Sequence, residues 1–225
     1  MPDPVILAFD TSGPYCAAAL LMGDRVTTKI EDMSRGQGER LMGLLEDLLG
    51  EHDMAWADLD GIGVGVGPGN FTGIRISVSA ARGLALGLGK TAVGVSAFDT
   101  AAYGLSNVIA CVPAPRNQAF VQARVSGADT TPTLVELPKM GTFPSVPARA
   151  EARFCGPAAD EVGRAYMGAA FLPDTDTRAQ PTPPIEAIAR IALARLHSTT
   201  TRPAPLYVRP ADAAPPREKP PVILP

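Results

Sequence analysis

The stretch Gly61-Ile62-Gly63-Val64-Gly65-Val66-Gly67-Pro68-Gly69-Asn70-Phe71-Thr72-Gly73-Ile74-Arg75 changes its periodicity half-way along. From Gly61 to Val66 glycine alternates with Ile and Val, the pattern of a strand whose glycines let a neighbouring backbone come close. Gly67 to Phe71 reads as a loop, and Thr72 can cap a helix that runs to about Leu88. Ile74, Val78, Ala81, Ala85 and Leu88 form its apolar stripe. Eight of the sixteen residues from Gly73 to Leu88 are Gly, Ala or Ser. That composition weakens a helix and implies a close neighbour.

Upstream, Val5 to Phe9 is a continuous apolar run, and Cys16–Met22 and Arg25–Ile30 flank Gly23-Asp24 as a hairpin. Leu41, Leu44, Leu45, Leu48 and Leu49 share one helical face, with Gly50 as the stop. Thr91–Val95 reads as a strand, and Ser96 caps a short helix to about Gly104. Strand, strand, strand, helix, strand, helix, strand, helix predicts a mixed sheet covered by helices, an α/β architecture. Beyond it, strands are expected at Val108–Val112, Ala119–Val125 and Thr133–Leu137, and helices around Ala158–Met167 and from Thr182-Pro183 to about His197.

Glycine and proline are segregated. Residues 1 to 112 hold 17 Gly and 4 Pro; residues 113 to 225 hold 5 Gly and 19 Pro. The last 27 residues contain 8 Pro and read as a mobile tail at their end. A net charge of −3 gives no field strong enough to hold nucleic acid or an anionic membrane alone. The N-terminal run has no positive flank and is too short to span a bilayer, so a cytoplasmic protein without membrane contact is expected. Cys16, Cys111 and Cys155 are odd in number and set in apolar surroundings, which favours reduced, buried thiols.

The glycine run contains no G-x-G-x-x-G, and Gly87-Leu88-Gly89-Lys90-Thr91 leaves a helix rather than entering one, so Lys90 reads as a helix C-terminal cation. Two places carry anion-binding chemistry. Asp10-Thr11-Ser12-Gly13 offers hydroxyls, amides and a carboxylate able to hold a hydrated cation, and Gly67, Pro68, Gly69, Asn70, Phe71, Thr72 and Gly73 lead into a helix N-terminus. His52 and His197, the only histidines, read as surface residues, and no metal-ligand spacing is present. The residues favour binding or scaffolding over turnover.

Three segments together resemble the TsaB (YeaZ) family: Ile6-Leu7-Ala8-Phe9-Asp10-Thr11-Ser12, Gly38-Glu39-Arg40-Leu41, and the Pro68-Gly69-Asn70-Phe71-Thr72-Gly73-Ile74-Arg75 core. Leu206-Tyr207-Val208-Arg209 is similar to the ending common in that family. The resemblance implies an actin/Hsp70/sugar-kinase-like (ASKHA) fold of two related subdomains, here 1–105 and a reduced 106–209, with 210–225 as a Pro-rich tail. It further implies a non-catalytic role in making threonylcarbamoyladenosine in tRNA, beside a TsaD-like catalytic subunit and a TsaE-like ATPase, with tRNA met only through the complex. No catalytic or metal-binding residue is expected, nor any cofactor bound by the chain alone. ATP or ADP with Mg is expected only at an interface within the complex, for which Asp10, Thr11, Ser12, the Gly67 to Gly73 loop and Arg116 are the candidate contacts. The expected TsaD-facing residues are Glu39, Arg40, Leu41, Leu44, Leu45 and Leu48 on one helix and Ile74, Arg75, Val78, Ala81, Arg82 and Ala85 on the other. A homodimer of the isolated chain is compatible with the same faces. The family's second subdomain usually opens on an Asp-Ala-Arg-Arg-like segment, where this chain has Pro113-Ala114-Pro115-Arg116-Asn117-Gln118. An ASKHA-type sugar- or acetate-kinase-like phosphotransferase is the alternative; only five glycines after residue 113 and no Asp in the 113–120 loop stand against it.

Overall fold

The computed structural model describes residues 3–125, 127–137, 153–167 and 184–208. Strand β1 (Val5–Asp10) lies at the centre of a five-stranded sheet. It pairs antiparallel with β2 (Tyr15–Met22), which pairs with β3 (Arg25–Asp32). On its other side β1 runs parallel to β4 (Gly61–Gly65), and β4 to β5 (Thr91–Val95). Both faces of β1 are covered, which is why its sequence is apolar throughout rather than alternating. Leu7 and Phe9 point to one core, shared with α1 (Gln37–Gly50) and α2 (Phe71–Leu88); Ile6 and Ala8 point to a second.

The second core belongs to a helix from the far end of the chain, Pro184–Arg195. The alternating glycines of β4 admit it: a Cβ on Gly63 would lie 2.9 Å from Ala192 Cβ and 3.2 Å from Ile188 Cγ2. The short α3 (Ala97–Ala101) makes the reverse crossing, placing Phe98 and Ala101 against the second sheet. That sheet pairs β6 (Val108–Ala114) with β7 (Gln118–Val125), β7 with β8 (Ala128–Asp129) and β9 (Thr133–Glu136), and β6 in parallel with β10 (Arg153–Cys155). α4 (Ala159–Met167) covers its other face; the helix Pro184–Arg195 is α5. The two lobes thus exchange helices: α3, within the span assigned to the first, packs on the second sheet, and α5, within the span assigned to the second, packs on the first. Among the described residues no helix is long and apolar enough to cross a membrane.

Some boundaries differ from expectation. Asn70, not Thr72, caps α2, its side chain accepting the Gly73 N–H at 2.9 Å. α1 ends at Gly50 as expected, although its C-cap, Glu51, is in right-handed rather than left-handed geometry. A 3-10 turn at Trp56–Asp58 and strands β8 and β10 have no counterpart in the sequence reading. Gly89, in the left-handed region, ends α2, and the Lys90 amide closes back on Ala85. Thr182-Pro183, Arg209 and the tail lie outside the described residues.

All three cysteines are buried and free. Burial, with help from Glu31, pushes the Cys16 thiol up to about 11, and burial pushes Cys155 up to about 12 and Cys111 well above its ordinary value. A disulfide-exchange reagent attacks thiolate, so it is expected to titrate no thiol in the native chain at pH 8 and all three after denaturation.

Candidate functional site

The two loops singled out as anion sites close on each other. Asp10 Oδ1 accepts the Ser12 amide at 2.9 Å; Oδ2 accepts the Ser12 hydroxyl at 2.9 Å and the Tyr15 hydroxyl at 2.8 Å. Burial first, then the Asp10 charge, push the Tyr15 phenol well above its ordinary value, so it remains a donor. The Thr11 hydroxyl donates to Gly73 O at 2.6 Å, and the Asn70 amide donates to Ser12 O at 2.7 Å. Gly69 and Gly73 allow this approach: a Cβ on Gly69 would sit 2.6 Å from Ser12 O, and one on Gly73 would run into the Thr11 carbonyl. Likewise a Cβ on Gly65 would meet the Asp10 carboxylate. Tyr15→Phe removes one of three donors to Asp10 and is expected to lower stability by about 1 kcal/mol, read as a shift in the urea midpoint.

Between the lobes lies a cleft of about 670 Å³. Asp10, Ser12, Gly67, Pro68, Gly69 and Asn70 line it from the first lobe; Val112, Pro113, Ala114, Pro115 and Phe120 line it from the second. Thr11 is fully buried beneath the wall, and Phe71 and Thr72 are exposed at the start of α2, outside it. Arg116, expected as a nucleotide contact, is instead exposed at the β6–β7 turn, where it and Asn117 adopt positive φ (63° and 56°). The connection is three residues long, Pro115 to Asn117, and its reversal through these two positive-φ residues carries Arg116 away from the cleft lining.

The nucleotide with Mg expected at an interface of the complex finds a poor fit among the described residues of this cleft. No Lys or Arg is among the described residues that line it, and the Asp10–Ser12 loop spends its hydroxyls and the Ser12 amide on bonds within the chain. Among the described residues the walls offer no cation to balance a polyphosphate. Among the described residues no cluster of three His, Cys, Asp or Glu could hold a metal.

The residues expected to face a partner divide in two. Leu41, Leu44, Leu45, Leu48, Ile74, Val78 and Ala81 are at most 3% exposed and form this chain's own core against β1, β2 and β4. They hold the helices down rather than present a surface, because the sheet needs that face for burial. Ala85 is partly buried in the same core. Arg40 is committed to a clamp: Nε and Nη2 donate to Glu31 on β3 at 2.8 and 2.7 Å, and Nη2 to Asp47 at 2.7 Å. Glu39, Arg75 and Arg82 are exposed. Arg75 stacks on Phe71, 3.8 Å from the ring centroid, and its Nε donates to the Tyr207 hydroxyl at 3.0 Å. This ties the two exposed motif residues to the Leu206-Tyr207 segment.

Sequence reasoning missed the outward face. It consists of Gly38 and Met42 on α1 and Ser79, Gly83, Leu86 and Gly87 on α2, with Leu86 80% exposed. A Cβ on Gly83 or Gly87 would meet nothing within 4 Å. Ser79, Gly83 and Gly87 recur every four residues, so the spacing was readable, and only the side on which it lay was hidden.

Comparisons with known proteins agree with this architecture. Residues 25–132 match the family model described as "TsaD: tRNA N6-adenosine threonylcarbamoyltransferase". YeaZ from Pseudomonas aeruginosa is 25% identical over 91% of this chain and 99% of that one, with a TM-score of 0.62. These likenesses support an assignment to the TsaB (YeaZ) family. A second Pseudomonas aeruginosa structure, described as an uncharacterized protein with similarity to peptidase YEAZ, is 24% identical over 92% of this chain and all of that one, with a TM-score of 0.68. No curated protein sequence matches. The fold is of the actin/Hsp70/sugar-kinase type, and the TsaD-model match together with the likeness to YeaZ supports a role in threonylcarbamoyladenosine synthesis, a tRNA modification.

Proposed function

We propose that this YeaZ-like chain is the non-catalytic scaffold or activator subunit of the threonylcarbamoyladenosine machinery. It pairs with a TsaD-like catalytic subunit through the outer face of α1 and α2 and works beside a TsaE-like ATPase in the cytoplasm, meeting tRNA only within the complex. One observation carries the reading: Ser79, Gly83 and Gly87 form an exposed strip of small residues beside the 80% exposed Leu86, on a helix whose other face is fully used. Glycines in a helix interior each cost about 1 kcal/mol relative to alanine, and close approach of a partner helix is what offsets that cost. The lack of Lys and Arg among the described cleft-lining residues supports the same conclusion. On this reading any nucleotide of the assembled complex is held by the partners' groups, at an interface. The isolated chain's apolar strip also fits a second copy, so a homodimer is expected to compete with the complex.

The test is threonylcarbamoyl transfer to tRNA reconstituted from the TsaD-like and TsaE-like proteins, with the threonylcarbamoyl adenylate supplied. Modification should depend on adding this chain. Undiminished modification without it, or activity from this chain alone, overturns the proposal.

A further inference from the structure

The two exchanged helices meet at Asp99. This residue closes the capping box of α3: Oδ2 accepts the Ser96 amide at 2.8 Å and the Ser96 hydroxyl at 2.6 Å, while the Asp99 amide donates to Ser96 Oγ at 3.0 Å. The other oxygen, Oδ1, accepts Nη2 of Arg124 on β7 and Nη2 of Arg195 in the last turn of α5, each at 2.8 Å. A single carboxylate, 9% exposed, therefore joins the second sheet, the helix packed on that sheet, and the helix packed on the first sheet. Burial alone would raise the Asp99 carboxyl. Hydrogen bonds from Arg195, Ser96 and Arg124 outweigh it and hold the group well below the usual carboxylate range, so it is ionised at physiological pH.

The charges are arranged so that the join depends on this one group. Two guanidinium groups converge on the same oxygen, and like charges so placed repel once the anion between them is gone. Arg124 Nε is buried and has no hydrogen-bond partner among the described residues, so this side chain is already under-satisfied there. The other acid at Arg124 is Asp129, 3.4 Å from Nη2 and half exposed. The position matters as much as the charge. Ser96, Ala97 and Thr100, on either side of Asp99, line the interlobe cleft, and the Ala97 amide donates to Gly67 O at 2.8 Å, in the loop that forms the cleft's opposite wall.

We propose that the Asp99–Arg124–Arg195 cluster is a lock at the crossing point of the two lobes, fixing the angle between them and so the width of the cleft. It is a conformational device separate from the partner-binding face and stands whether or not that face binds TsaD. Release needs only loss of the anion, after which the two arginines drive the lobes apart about the α3 and α5 crossings.

Hydrogen–deuterium exchange on the full chain tests it. In Asp99→Asn the amides of 65–70 and 94–98 are expected to exchange about tenfold faster, while β1 and β2 keep wild-type protection. Arg195→Gln, at a partly exposed side chain, should give the same pattern with smaller amplitude, and it carries the test if Asp99→Asn does not fold. The double variant removes one of the two repelling cations, so it should regain part of the protection lost in Asp99→Asn. Cleft amides at wild-type rates in Arg195→Gln, loss spread evenly through β1 and β2, or a double variant no better protected than Asp99→Asn would each overturn the lock.

Discussion

Gly73→Ala is expected to destabilise the chain by about 3 kcal/mol, the upper part of the range for forcing an extra carbon into packed structure. The new Cβ would run into the Thr11 carbonyl and lie 3.3 Å from Ser12 Cα, so the obstacle is backbone rather than the tip of a flexible side chain. Gly73 cannot move aside cheaply. Its amide is the donor to the Asn70 cap, its carbonyl accepts the Thr11 hydroxyl at 2.6 Å, and the next residues of its stripe, Ile74 and Val78, are anchored in the core. Relief requires α2 to shift as a body away from β1. Gly87→Ala is the internal control: with nothing within 4 Å of its Cβ, it should raise stability by about 0.5–1 kcal/mol, the ordinary gain from replacing a helical glycine. Urea unfolding followed by circular dichroism separates the two. A Gly73→Ala midpoint at or above wild type would mean the loop seam is not tight.

The contrast between these two glycines shows what was readable beforehand. Strand and helix periodicity placed β1 to β5 and the two long helices, because burial on both faces of β1 and on one face of each helix leaves a pattern in local sequence. The loops were legible as turn chemistry but misjudged as open anion sites. A sequence displays donors and acceptors, not their partners, and Thr11 finds Gly73 from 62 residues away. The leucines of α1 were assigned outward for a related reason: spacing tells which residues share a face, and only the tertiary fold tells which face the sheet takes. Strands β8 and β10, of two and three residues, are too short to carry a period. Ser96 was readable as a cap, yet the arginines that complete the Asp99 cluster come from β7 and α5. No local pattern announces that meeting, nor the exchange of helices that produces it.

Gly83→Gln is expected to weaken pairing with a TsaD-like subunit about a hundredfold while leaving the isolated chain at least as stable as wild type. Both halves follow from the same geometry. Residue 83 lies on the exposed side of α2, where a side chain would meet no atom of this chain, and Gln is among the better helix formers. The substitution therefore relieves the helix when it is alone. Against a partner helix packed over Ser79, Gly83 and Gly87 the same side chain must fit where only hydrogen was accommodated, and overpacking of that kind costs about 3 kcal/mol. A fall in affinity could otherwise be blamed on damage to the fold, as it would be for any change at the fully buried Ala81. Here the two effects have opposite signs, so thermal unfolding of the isolated variant and its titration against the catalytic subunit decide the matter together. Unchanged affinity with raised stability would remove the α2 strip from the interface and leave the exposed glycines without a function.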